Sequence, residues 1–115
     1  MKPMPQDVEV RLTLLKTEDG GRSCPLVQSA SYRPQFHYDG NDWDCVVEIA
    51  EETVAPGESV VAIISFLSPD QHYGKLDVGS PFLLREGVRV VGYGSVARLL
   101  NLEQSALRAV RKGAG

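Results

Sequence analysis

Two cysteines, two histidines and a run of carboxylates are the residues of this 115-residue chain that could do chemistry. Cys24 with His37 or His72 would supply a nucleophile and a base. No fixed spacing orients either imidazole, though, and no oxyanion element accompanies the thiol, so no catalytic residue and no enzyme activity are expected. His37, Asp39, Asp42 and Asp44 stand close together, and Asp39-x-Asn41-x-x-Asp44 partly follows a calcium loop. Trp43 occupies a ligand position of that loop, and Ala50 falls where its closing glutamate belongs, so no metal is expected. A Gly-x-x-x-x-Gly-Lys-Ser/Thr loop, whose backbone amides would cradle phosphates, is absent from the sequence, so no nucleotide and no cofactor are expected. Cys24 and Cys45 match neither a disulfide framework nor a zinc pattern and read as reduced structural thiols, with a single bridge between them as the alternative.

The apolar pattern shows which elements must position these residues. With 43% hydrophobic and 23% charged residues, the chain suits one domain that buries a core without metal or disulfide staples. Residues 1–6 read as a disordered lead-in, 7–100 as the folded domain and 101–115 as a helical tail. No apolar run approaches the ~20 residues of a membrane helix, and no secretory leader is visible, which predicts a cytoplasmic protein.

Val8, Val10, Leu12 and Leu14 alternate with Glu9, Arg11 and Thr13, a period of two that predicts a strand over 7–16. Pro25 and Pro34 favour short edge-like strands at 26–28 and 33–38. Asp39-Gly40-Asn41-Asp42 reads as a loop tip, 45–49 as a β-branched strand, and Ala55-Pro56-Gly57-Glu58 as a type II turn. The apolar run 60–67 predicts a central strand buried on both faces. Residues 68–80 read as a polar loop, and 82–85 as a strand turning at Glu86-Gly87 into 88–97. In that last strand Val88, Val90, Gly92, Gly94 and Val96 share a face, the glycines marking close backbone approach or a barrel corner. Asn101 as cap, Gln104 closing a capping box, and Leu102, Ala106, Ala109 and Val110 on one face predict a helix over 102–112. The sum is an all-β antiparallel barrel or sandwich with a short C-terminal helix.

Glu18-Asp19-Gly20-Gly21-Arg22, Tyr32-Arg33-Pro34-Gln35-Phe36, Pro56-Gly57-Glu58, Arg85-Glu86-Gly87 and Val91-Gly92-Tyr93-Gly94-Ser95-Val96 occur in this order. Over about residues 7–100 they resemble the C-terminal β-barrel, the third domain, of bacterial elongation factor Tu. The resemblance implies a closed six-stranded antiparallel barrel. It also implies that Arg85, Glu86 and Gly87 match the turn lying along the tRNA backbone. Tyr32, Arg33, Pro34 and Gln35 match the surface facing the GTPase domain. With its own methionine just before the barrel, the chain is expected to be a free-standing homologue.

The charge pattern departs from the family. Residues 39–44 stand where the family has a segment that begins with arginine, is rich in threonine and helps to face tRNA. Here 39–52 hold six acids and no base, a field that repels phosphate and removes the counterion release that drives RNA binding. Residues 85–112 hold six bases against two acids. These features predict a non-catalytic protein-binding barrel, a mimic or competitor of elongation factor Tu or an accessory of translation. Its partner-binding residues are expected to be Tyr32, Arg33, Gln35, Asp39, Asp42, Trp43 and Asp44, with Trp43 either an interface anchor or a rim residue of the core. The alternative is an RNA-binding accessory protein that meets the tRNA T-stem or acceptor arm through Arg85, Glu86, Gly87, Arg89 and the basic tail. The barrel flank that a neighbouring domain covers in the family is expected to lie under the C-terminal helix or against a second copy.

Overall fold

The architecture follows from alternation. In β1 (Val8–Leu14) the side chains of Val8, Val10, Leu12 and Leu14 are buried and those of Glu9, Arg11 and Thr13 point outward. The computed structural model describes residues 5–114. β2 (Leu26–Val27), β3 (Gln35–Tyr38), β4 (Asn41–Ile49), β5 (Thr53–Val54), β6 (Ser59–Phe66), β7 (Pro81–Glu86) and β8 (Arg89–Leu99) follow. Six of these strands close into an antiparallel barrel in the order β1-β6-β4-β3-β7-β8, and β2 and β5 pair as a separate ribbon. The expected closed six-stranded barrel is thus the fold, and closure leaves its sheet without a free edge. Phe36 lies at the centre of one end, stacked on Phe82 at 4.5 Å and edge-on to Phe66 at 5.0 Å. Residues 1–4 of the expected lead-in lie outside the described residues, whereas the Gln6 carbonyl already accepts bonds from Asn101.

Several local expectations are corrected by pairing. Asp39 and Gly40 alone make the turn between β3 and β4, both with positive φ (50° and 74°), as a two-residue type I′ hairpin requires. Asn41 and Asp42 therefore belong to β4 and not to a loop. β6 is buried on one face through most of its length, since Ser59 and Val61 are exposed on the outer wall; only its last residues, Ser65 and Phe66, are buried on both. In β8 the parity breaks: Leu84 pairs with Gly92 but Arg85 with Val90, leaving Val91 as an extra, buried residue. That bulge sends Val88 and Val90 to the face opposite Gly92, Gly94 and Val96. The close approach expected at the glycines is real, since a Cβ on Gly94 would sit 2.1 Å from the Arg11 carbonyl oxygen. Residues 68–80 include a 3-10 turn at Pro69–Gln71 and bury His72 and Leu76. The type II turn at 55–58 closes as expected, the Glu58 amide donating to the Ala55 carbonyl at 3.0 Å.

Helix α1 (Leu102–Ala114) packs against the 3-10 turn and buries Leu102, Ser105 and Ala106. Val110 is exposed, because the helix inclines its Ser105 side toward the barrel. The Asn101 amide turns back to the Gln6 carbonyl at 2.9 Å in place of capping the helix. Cys24 and Cys45 are both free, Cys24 exposed and Cys45 buried. Burial pushes the Cys45 thiol up to about 12, so it packs as a small apolar group.

Candidate functional site

The hairpin registers decide which polar side chains meet on the outer wall. Gln35 on β3 lies between Asp44 on β4 and Arg85 on β7, and His37 lies between Asp42 and Leu83. Because Phe36, Trp43 and Leu84 occupy the inward positions, Gln35, His37, Asp42, Asp44 and Arg85 all face out. The Gln35 amide donates to Asp44 at 2.8 Å, and His37 Nδ1 meets one oxygen of Asp42 at 2.7 Å. Arg85 Nη1 donates to the other Asp42 oxygen at 2.9 Å, and its Nη2 reaches the Val88 carbonyl at 3.3 Å. One carboxylate thus holds both a histidine and an arginine, and residues expected in two separate sites form one continuous polar face.

A second cluster braces the end of this face. Glu86 accepts from the Tyr32 hydroxyl at 2.7 Å and pairs with Arg22, whose guanidinium carbon lies 5.6 Å from the Tyr32 ring centroid. Burial raises the pKa of the Tyr32 hydroxyl well above its ordinary value, and the hydrogen bond and charge of Glu86 raise it further, so it stays a donor. Glu86 is therefore committed internally. Gly87 and Val88 form the exposed two-residue tip of the β7–β8 hairpin, with Arg89 exposed beside them.

Arg33 is exposed ahead of β3, and Asp39 is exposed at the tip of the β3–β4 turn, away from the Asp42–Arg85 pair along the strand. Trp43 turns inward and packs edge-on against His72 at 4.8 Å, the rim position of the core and not a projecting anchor. An open cleft of about 340 Å³ adjoins the face, with His37, Asp39, Lys75, Pro81 and Leu83 in its lining. No group of three or more metal-ligating side chains occurs among the described residues. Cys24 stands in the Arg22 cluster and His72 in the core, so the thiol and that imidazole do not form a dyad.

The packing roles of Arg22, His72 and Asp7 are not legible in the sequence. Arg22 lies 64 residues from its partner Glu86. His72 sits in a polar stretch that gives no sign of burial. Asp7 stands at the start of the first apolar alternation, and nothing in the sequence marks it as buried. No described helix is long and apolar enough to cross a membrane. Residues 3–100 match the family model of the elongation factor Tu C-terminal domain, and α1 begins where that match ends. With the closed barrel and the braced hairpin in place, that match over most of the chain makes this protein a member of the elongation factor Tu C-terminal domain family.

Proposed function

We propose that this translation-factor-like barrel is a non-catalytic protein-binding module, acting as an accessory of translation or as a mimic of elongation factor Tu toward a protein that docks on that factor. The observation that carries this reading is the bond from Arg85 to Asp42. The arginine that the resemblance aligns with a tRNA-facing turn is neutralised by a carboxylate that reaches it across β3 from the acidic strand β4, and Asp44 adds a second negative charge to the same wall. Phosphate gains little at such a face, because the counterion-release term needs unpaired cations. Gln35, His37, Asp42, Asp44 and Arg85 instead offer a fixed pattern of donors and acceptors of both signs, suited to orienting a protein surface.

The test is a pair of titrations. At physiological salt of about 0.15 M, aminoacyl-tRNA is expected to give no saturable binding to the wild-type chain. Asp42→Asn, which releases Arg85, is expected to gain weak binding that falls as salt rises. In the companion experiment, a protein retained by the wild type should be lost on Asp42→Lys/Asp44→Lys and displaced by excess elongation factor Tu. Saturable capture of tRNA by the wild type would overturn the reading in favour of an RNA-binding accessory protein.

A further inference from the structure

We propose that the contact core is the outer wall of β7 and β8, and that it takes a folded protein presenting an apolar ridge bordered by carboxylates. This rests on the protein-binding reading above and places its energetic centre on residues outside the polar face. The registers lay out the wall row by row: His37, Leu83, Tyr93 and Thr13 form one row across β3, β7, β8 and β1. The row toward the hairpin tip places Val90 beside Arg85, and the row beyond pairs Pro81 with Ser95. Leu83 and Tyr93 are direct cross-strand partners at 36% and 47% exposure, and Val88 at the tip is 90% exposed.

Scattered surface leucines call for no account, but this is a contiguous strip in register, continuous with the cleft beside Pro81 and Leu83. The bulge at Val91 creates it by turning Val90 outward into line with Tyr93. The strip is held stiffly, with the tip carbonyl of Val88 bonded to Arg85 and Glu86 held by Tyr32 and Arg22. Little ordering entropy remains to be lost on docking.

Charge selects the occupant. Arg11, Lys75 and Arg89 border the strip, are exposed, and enter no ion pair among the described residues. Of the neighbouring acids, Glu86 and Asp42 are already engaged, and the exposed Asp39 shares the cleft lining with Lys75. An apolar centre with a tyrosine inside a cationic rim matches a protein surface of apolar residues flanked by aspartate or glutamate. An RNA backbone would find three separated cations and nothing for the apolar centre to cover.

The experiment uses the full chain with Tyr93→p-benzoylphenylalanine or, separately, Asp44→p-benzoylphenylalanine, irradiated in the cells that make it. A protein adduct is expected from position 93, attached beside Asp or Glu side chains of the partner. Its yield should fall roughly tenfold in Arg11→Glu/Lys75→Glu/Arg89→Glu. Leu83→Thr, conservative for an exposed strand position, should lower it as well, with circular dichroism as the check that both variants fold. A nucleic-acid adduct, an adduct with a second copy, or a protein adduct indifferent to the reversed charges overturns the proposal. An adduct from position 44 but not 93 sinks this surface and leaves the protein-binding reading standing; none from either position sinks both.

Discussion

At the scale of single residues, His72 carries an unbalanced demand. Its imidazole is fully buried against Phe66 at 4.1 Å, shares a hydrogen bond with the Tyr38 hydroxyl at 2.7 Å, and leaves Nε2 without a partner. Burial, with Lys75 adding to it and Asp70 opposing it, lowers its pKa to about 4. The unfolded chain takes up this proton near pH 6.5, so between there and pH 4 the unfolded state binds more protons than the fold, and stability drops as pH falls. The full loss is roughly 3 kcal/mol. Asp7 acts in the opposite sense, since burial raises its pKa and protonation relieves it. Comparison of wild type with His72→Leu therefore isolates the histidine. Denaturant titrations at pH 7 and about pH 4.5 are expected to show the wild type losing more stability than the variant, and equal losses would refute the assignment.

At the scale of elements, the strands were legible because a barrel wall repeats every two residues, as Val8 to Leu14 do. Parity through Val91, the burial of His72 and the bond between Asp42 and Arg85 were not, because each depends on pairing with a distant strand. The polar tie between α1 and the barrel was hidden for the same reason. The Asp7 side chain is 1% exposed, accepts from the Phe66 amide at 2.8 Å, and accepts from the Ser105 hydroxyl of α1. Its pKa is raised by burial and drawn back by Ser105 and then Phe66. Ser105→Ala leaves that carboxylate short of a donor, at a cost of about 1–3 kcal/mol. The loss is expected to be full at neutral pH and smaller in acid, where a protonated Asp7 no longer carries buried charge. Thermal unfolding across pH checks this, and a pH-independent loss would show that the hydroxyl acts only by packing. Truncation after Leu100 removes the same donor together with the Leu102 and Ala106 contacts, so it should cost more than the point variant and lower solubility.

At the scale of the whole molecule, the first strand is also a central one. β1 lies between β6 and β8, and its pairing of Val8 with Leu99 and of Leu14 with Gly92 joins the two ends of the domain. No local hairpin can form this seam; nearly the whole intervening chain must be ordered or looped before its hydrogen bonds and the Val8–Val96 core repay the entropy of closure. Gly94 tightens the requirement, since β8 must seat against Arg11 with no room for a side chain. Such a topology predicts refolding on a scale of roughly milliseconds to a second and not microseconds. Trp43, packed on His72 where β4 meets the barrel end, is a built-in reporter. Stopped-flow fluorescence should show its signal arriving with barrel closure. Ser105→Ala, which loosens only an element added to the closed barrel, should leave the refolding rate nearly unchanged and speed unfolding. Refolding complete within microseconds, or slowed in proportion to the stability lost in Ser105→Ala, would mean that α1 helps to assemble the barrel and does not merely dock on it.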